Sequence, residues 1–386
     1  MNKFESLKRC YHCGAVIQTK DSAKEGYLDP KSIDSFAGKD VFLCESCYKK
    51  QRFNRLPAKM QTSEDFLTMM KDARASDAMI VDIIDLTSFE CSFDLKAIES
   101  AKGLDYIIIG NKRDLIPAEY KDDDLKEYIV NVYKEYGLHL KKEDIFLSSL
   151  LSSSFDISSI VNEINKRRKG HDVYIVGDLS SGKSLFLNAF LKNYKNPSNH
   201  SVGVSRYYGT NLDVLKIPLD SASFIYDTPG NIDSNSFARY RDDSSFYRYI
   251  LTNKPYGSRK IAIPKQGSVF VSTMARIDYL EGKKRLTLSC HFPEKVQIKG
   301  ITPKKNMDEL FLKYQDKKAL KPHPTFISSL ADYDIFDIAI NGKDEHQEIT
   351  FSGLGWISFK TLENIKLRIY VPKGIGIYAG KAKGHN

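Results

Sequence analysis

Val173-Tyr174-Ile175-Val176 runs directly into Gly177-Asp178-Leu179-Ser180-Ser181-Gly182-Lys183-Ser184 and then into Leu185-Phe186-Leu187-Asn188-Ala189-Phe190-Leu191. An apolar strand-like run, a G-x-x-x-x-G-K-S loop and a helical run, in that order, are the context a phosphate-binding P-loop requires. Gly177 and Gly182 let the backbone curl, through Ser180 and Ser181, until its N–H groups converge on one point. The helix N-terminus adds partial positive charge there. Lys183 then reaches the β- and γ-phosphates, and the Ser184 hydroxyl joins a Mg²⁺ shell. A Gly/Ser-rich turn that merely holds a lysine would not need these flanks on both sides. Nucleotide binding is therefore the premise for the rest of the chain.

Upstream, four apolar runs, Met79–Leu86, Tyr106–Ile109, Ile145–Leu147 and Val173–Val176, alternate with helical patterns such as Asp124–Tyr136 and Ile157–Arg167. That alternation predicts βαβ units and a parallel sheet with its ligand at the carboxyl ends of the strands. The second run delivers Asn111-Lys112-Arg113-Asp114 to that edge. A carboxylate at Asp114 accepts from both N1–H and the 2-amino group of guanine, whereas adenine leaves it unpaired, at a cost of about 1–3 kcal/mol. Asn111 ties this loop to its neighbours, the Lys112 stem lies over the base, and Ser148-Ser149 covers the guanine O6. Downstream, Phe224-Ile225-Tyr226 delivers Asp227-Thr228-Pro229-Gly230: Asp227 holds Mg²⁺ through water and the Gly230 N–H meets the γ-phosphate. Thr210, in Gly209-Thr210-Asn211, is the expected closing hydroxyl on Mg²⁺. The base loops precede the P-loop, the reverse of a standard G domain. A circular permutation preserves the contacts while moving the chain ends.

Cys10-Tyr11-His12-Cys13 and Cys44-Glu45-Ser46-Cys47 are separated by 30 residues. Two CxxC turns supply the four sulfurs of a tetrahedral Zn²⁺ site, with His12 exposed rather than ligating. The residues between them are too few and too polar to fold on packing alone, so zinc, contributing about 10–16 kcal/mol, would hold the module together. Cys91 and Cys290 are solitary and expected to be buried. Lys49-Lys50-Gln51-Arg52-Phe53-Asn54-Arg55 interleaves cations with an aromatic, as phosphate contacts and base stacking require; a solvated helix end has the same composition.

The formal net charge is +9 over 386 residues, but it is segregated: +5 in residues 1–60, −6 in 61–250 and +10 in 251–386. Basic flanks around an acidic middle point to a polyanion, read here as structured RNA with no DNA partner expected. Solvated surface charge is the competing explanation for each flank. No apolar run reaches the ~18 residues of a membrane span, and Met1-Asn2-Lys3-Phe4-Glu5 lacks a signal-type apolar region, so a cytoplasmic protein is expected; it is read as a monomer. After the aromatic helical pattern Ser236–Thr252 and a linker at Lys254-Pro255-Tyr256-Gly257, period-two runs take over: Val269–Tyr279, Arg285–Phe292, Ile335–Ile340, Glu348–Phe351, Trp356–Phe359 and Ile365–Val371. One helix, Met307–Tyr314, interrupts this β domain, whose basic side chains should point outward, and the tail Lys373-Gly374 through Lys381-Ala382-Lys383 reads as flexible charge for phosphate. The expected fold is thus a multidomain chain: a zinc module (1–56), a circularly permuted α/β P-loop GTPase domain (57–252) and a mostly β C-terminal domain (253–386).

With CxxC–x30–CxxC, NKRD, SSL, GDLSSGKS, GT, DTPG and Ser352-Gly353-Leu354-Gly355-Trp356 in this order, the sequence resembles the circularly permuted GTPases, and among them the YqeH-like branch. The resemblance implies an assembly factor for the small (30S) ribosomal subunit that contacts rRNA; a mitochondrial relative is similar. Ser180 stands where many potassium-stimulated relatives carry asparagine, and Leu150-Leu151 replaces the lysine usual after the last base loop. Asn231 follows DTPG where signalling GTPases often have glutamine, so slow intrinsic GTP hydrolysis stimulated by a partner is expected. Arg206 is read as a surface or RNA contact before an arginine finger. A protein-effector switch and a zinc-stabilised nucleotide scaffold with little turnover are the other functions this sequence allows.

Overall fold

A central parallel strand buried on both faces can carry almost no polar residue, and in a computed structural model of the chain the runs at Tyr106–Ile109 and Val173–Val176 meet this condition. The structure describes residues 15, 17–24, 26–30, 44–45, 63–91, 99–152, 155–178, 180–193, 203–206, 213–228, 235–240 and 243–384. Cys10, His12, Cys13, Cys47, the 49–55 segment, Thr210, Gly230 and Asn231 lie outside the described residues. Contacts divide the chain into two units. The first takes its residues from Met1–Leu86, Asp94–Arg113 and Ile129–Ile232, and the second from Thr87–Phe93, Asp114–Tyr128 and Asp233–Asn386. Residues 87–91 and 114–128, inside the span expected for the GTPase domain, thus pack with the C-terminal part.

The first unit contains α1 (Ser63–Ala75), β1 (Met79–Asp85), β2 (Tyr106–Asn111), the second half of α2 (Asp122–Glu135), β3 (Ile145–Leu147), α3 (Ser158–Arg167), β4 (Val173–Val176), α4 (Lys183–Asn193), β5 (Gly203–Arg206), β6 (Asp213–Pro218) and β7 (Phe224–Asp227). All six residues of β2 and all four of β4 are buried. The seven strands lie in the order β3-β2-β1-β4-β7-β6-β5. β1 to β4 and β7 are parallel, while β6 runs antiparallel to both of its neighbours, β7 and the edge strand β5. The chain leaves β1 toward β3, returns to β4, and continues on the opposite side. β1 and β4 therefore flank a topological switch point, where ligands of such sheets bind beyond the strand carboxyl ends. Ile83, Ile109, Ile175, Ile160, Ile164, Phe186 and Phe190 belong to one buried cluster, so α3 and α4 are held on the sheet by apolar packing.

The second unit contains α5 (Ser244–Ile250), β8 (Gly257–Ile263), β9 (Ser268–Val271), β10 (Ala275–Glu281), β11 (Leu286–Phe292), β12 (Ile298–Ile301), α6 (Met307–Asp316), β13 (Tyr333–Ile340), β14 (Lys343–Phe351), β15 (Gly355–Thr361), β16 (Ile365–Pro372) and β17 (Ile377–Lys381). They form two antiparallel five-stranded sheets, β12-β9-β10-β16-β13 and β17-β14-β15-β11-β8. Alternation sends Val269, Ile277, Leu367 and Ile369 of one sheet and Leu288, Ile349, Ile357 and Phe359 of the other into a shared core. Phe270, Tyr333 and Tyr370 point the other way and receive Phe311 of α6.

Several expectations are corrected. The run Val269–Tyr279 is two strands, broken by a turn in which Ser272 takes φ +53°. Ser236–Thr252 is a 3-10 turn at Phe237–Tyr240 followed by the short α5. Gly257 opens strand β8 rather than closing a linker. Lys383 is buried, not flexible, with its ammonium 3.0 Å from a Glu90 carboxylate oxygen and 2.8 Å from one of Glu348. Arg276 is likewise buried, its guanidinium paired with Asp278 and Asp308 at 2.6 Å each. Cys290 is buried, which pushes its thiol up to about 12, but Cys91 is only half-buried. Among the described residues no helix is long and apolar enough to cross a membrane.

Candidate functional site

The loop between β4 and α4 has a backbone that glycine makes possible. Gly177 takes φ +134°, and a Cβ there would lie 2.3 Å from the Ile83 carbonyl oxygen of β1. Gly182 takes φ +110°, and a Cβ there would lie 2.2 Å from the Asn111 carboxamide nitrogen. Both positions combine a left-handed backbone with close packing, which L side chains do not tolerate. Ser180, at φ +66°, holds the left-handed region without being glycine, a conformation that costs on the order of 1 kcal/mol. Ser181 is fully buried and Lys183 nearly so. The Lys183 ammonium donates to the carbonyl oxygens of Gly177 and, at 3.0 Å, Asp178.

β7 brings Asp227 beside this loop, because Ile175 of β4 is its register partner. Thr228 then closes onto the same strand, its N–H and hydroxyl donating to Ile175 O at 3.2 and 2.8 Å. Asp227 is buried. Burial pulls the Lys183 ammonium below the ordinary lysine value, while the carboxylates of Asp227, Asp178 and Asp82 oppose that fall. A buried cation beside buried carboxylates is an arrangement that a bound anion and a divalent cation would both complement.

Asn111, at the end of β2, joins three loops. Its Nδ2 donates to Ser181 O at 2.8 Å, and its Oδ1 accepts from Leu150 N at 3.2 Å and from the Ser148 hydroxyl at 3.3 Å. Ser148 N donates to Gly110 O at 2.8 Å, and Arg113 N donates to Ser148 O at 2.9 Å. Lys112, at φ +66°, points its ammonium to Asp85 Oδ2 at 2.5 Å. Ser149 is half-buried one residue beyond Ser148, and Ser184 is half-buried in the first turn of α4. The structure therefore brings Asn111, Lys112, Ser148 and the described residues of the 177–184 loop together at one sheet edge. Asp114 follows in a 3-10 turn, Arg113–Leu115, with its side chain half-buried.

Two aspartates missed by sequence reasoning also face this region. Asp85 fixes the end of Lys112. Asp82 accepts from the phenols of Tyr106 and Tyr133 at 2.6 and 2.8 Å, and burial raises its carboxyl above the usual range against those two donations. The available signal was Met79-Ile80-Val81-Asp82-Ile83-Ile84-Asp85 itself. Acids in an otherwise apolar central strand need partners. Of the four knuckle cysteines only Cys44 is described; it is buried, next to Glu45, whose N–H donates to Tyr27 O at 2.7 Å. Among the described residues, no group of three or more His, Cys, Asp or Glu is placed to hold a metal.

A parallel α/β sheet with a glycine-bounded strand-to-helix loop at its switch point, followed by two antiparallel sheets, defines the class: a multidomain chain whose C-terminal part is mostly β. Residues 285–382 match the family model described as YqeH-like, C-terminal. Over 373 residues the chain is 29% identical to the uncharacterized protein YqeH of Bacillus subtilis, covering 97% of this chain and 98% of that protein. It is 25% identical to a putative nitric oxide synthase of Oryza sativa, over 97% of this chain and 77% of that one. It is 22% identical to NO-associated protein 1, chloroplastic/mitochondrial, of Arabidopsis thaliana, over 94% and 71% respectively. The chain is thus similar along nearly its whole length to YqeH of Bacillus subtilis, and its residues 285–382 fit the YqeH-like C-terminal model.

Proposed function

We propose that this chain binds GTP and GDP with Mg²⁺, hydrolyses GTP slowly, and couples its nucleotide state to structured RNA during assembly of the small ribosomal subunit. Similarity to YqeH-like proteins supports a GTPase-like role in ribosome assembly. The observation that carries the reading is the Asn111 carboxamide, which ties the NKRD loop to the 177–184 loop at 2.8 Å although the P-loop lies far downstream in the chain. That is the geometry one nucleotide needs if its base and its phosphates are held by separate loops of a permuted domain.

In this reading the loop N–H groups and Lys183 hold the phosphates, and Ser184 and Asp227 hold Mg²⁺, which neutralises charge on the transferred phosphoryl group when bound. Thr210 completes the Mg²⁺ shell and the Gly230 N–H meets the γ-phosphate, both from outside the described residues. Asp114 reads guanine, Asn111 and Lys112 fix the base loop, and Ser148 and Ser149 cover the base. Cys10, Cys13, Cys44 and Cys47 hold Zn²⁺, consistent with the burial of Cys44. Arg259, Lys260, Lys283, Lys284 and Arg285 are exposed on the second unit, as an RNA-phosphate surface requires.

Competition of GTP binding by ATP tests the base reading: equal competition refutes it. Phosphate release measured with and without small ribosomal subunits tests turnover. A steep fall of subunit affinity with salt is expected from counterion release; a shallow one would favour a protein effector.

A further inference from the structure

Among the described residues each antiparallel sheet of the second unit ends in two edge strands, and three of these edges carry the devices that keep strands from pairing with other chains. β8 has exposed Arg259 and Lys260, and β12 has exposed Lys299. Those two edges also lie against each other, since the Arg259 guanidinium donates to Ile298 O at 3.4 Å and a Cβ on Gly300 would sit 2.7 Å from Ile261 Cγ2. β17 is five residues long and ends in exposed Lys381. The fourth edge differs. β13, Tyr333-Asp334-Ile335-Phe336-Asp337-Ile338-Ala339-Ile340, is eight residues long, holds no lysine, arginine, proline or glycine, and among the described residues pairs with β16 alone. Ile335 is 53% exposed and Phe336 37%.

The hydrogen bonding of β13 determines what its free side offers. The Lys373 N–H donates to Asp332 O at 2.8 Å, one step beyond the Tyr333–Pro372 register pair. Bonded and open positions alternate along an antiparallel ladder. Asp334, Phe336, Ile338 and Ile340 therefore bond to β16, and the N–H and C=O groups of Ile335, Asp337 and Ala339 turn outward. Both acidic side chains of the strand are occupied within the unit. Asp334 Oδ2 accepts from the Gly374 N–H at 2.7 Å, and the Asp337 carboxylate is gripped by the Arg368 guanidinium at 2.6 and 2.9 Å, with the Lys366 ammonium at 3.5 Å. A strongly charged partner thus finds little on this edge to complement; an apolar extended strand finds open peptide groups flanked by apolar side chains.

β13 is itself such a strand. Laid antiparallel across a twofold axis with Asp337 opposite Asp337, two copies set Phe336 against Ile338 on one face and Ile335 against Ala339 on the other, and outward peptide groups meet outward ones. The two Asp337 side chains meet as pairs already neutralised by Arg368 rather than as bare like charges. We propose that β13 is a self-association edge, through which two copies of this chain join antiparallel about Asp337 into a sheet continuous across both. One strand per copy makes an interface smaller than the ~1,200 Å² of stable complexes, so the dissociation constant is on the order of 10–100 µM.

Sedimentation equilibrium of the full chain from about 1 to 300 µM tests this, with a monomer–dimer equilibrium expected. Phe336→Lys puts a charge on the edge, and Ala339→Pro removes an outward N–H that β16 does not use. Each should weaken the dimer by about tenfold or more. Asp337→Cys should give a disulfide-linked dimer under mild oxidation, mapped by mass spectrometry to position 337 of both copies, because Cα atoms of a hydrogen-bonded antiparallel pair lie ~5.5 Å apart. Ile335→Cys, opposite Ala339 of the other copy, should not. A chain that stays monomeric throughout the concentration range overturns the proposal, as does a dimer that both edge variants leave unchanged or a cross-link at 335 in place of 337. If Ala339→Pro fails to fold, Phe336→Lys, at a position already exposed, decides.

Discussion

Replacing Asn111 with alanine removes a side chain that is 3% exposed and makes three hydrogen bonds, at 2.8, 3.2 and 3.3 Å. A net hydrogen bond contributes about 1 kcal/mol, and a buried donor or acceptor left alone costs about 1–3 kcal/mol. Counting the 2.8 and 3.2 Å bonds fully and the longest at half weight, the loss is about 2–4 kcal/mol. It divides between folding stability and nucleotide affinity, because Ser181 O and Leu150 N belong to loops that the nucleotide would also order. Urea denaturation with and without GDP measures both parts. The expected result is a lower midpoint without ligand and GDP affinity reduced at least about tenfold, where 1.4 kcal/mol corresponds to a factor of ten. Asn111→Asp separates the atoms. It keeps an acceptor for Leu150 and Ser148 but turns a carboxylate oxygen toward Ser181 O, so it should lose at least as much GDP affinity as alanine. If Asn111→Ala shifts stability by less than about 0.5 kcal/mol and leaves GDP affinity unchanged, the claim that this carboxamide holds the two loops together is wrong.

Gly177→Ala places a Cβ 2.3 Å from a backbone oxygen at φ +134°; a loss of about 1–3 kcal/mol is expected, visible as a lower urea midpoint, and wild-type stability would contradict the loop geometry. Lys183→Met should weaken GTP binding by about tenfold to a hundredfold through loss of a charge-assisted contact, measured by titration; unchanged affinity would remove Lys183 from the phosphate site. Burial pushes the Glu348 carboxyl from 4.5 up to about 7 against the pull of Lys383. The folded chain then holds this proton more tightly than the unfolded one, so its contribution is intact below pH 4.5 and is lost as pH rises toward 7. Glu348→Gln should flatten the decline in stability across that window, and an identical slope in the variant would assign the decline to other groups.

Local patterning decided much of this protein. The runs beginning at Met79, Tyr106 and Val173 are strands because central strands buried on both faces must be apolar almost throughout. Gly177 and Gly182 stand out for a related reason: each takes a left-handed backbone beside a close neighbour, which only glycine tolerates. β8, Gly257-Ser258-Arg259-Lys260-Ile261-Ala262-Ile263, escaped because an edge strand with exposed residues shows little alternation. The break at Ser272 escaped because no glycine or proline marks it.

Tertiary structure alone decided which sheet faces are covered. Period two assigns Trp356, His291 and Glu348 to the face away from the shared core, and nothing nearby in sequence shows that Tyr120 and Tyr256 bury the indole or that Glu90 and Lys383 reach Glu348. The lysine tail read as free charge for the same reason. Its carboxylate partners lie on β14 and on a turn far upstream, and a charge becomes buried only where distant segments of the chain converge on it.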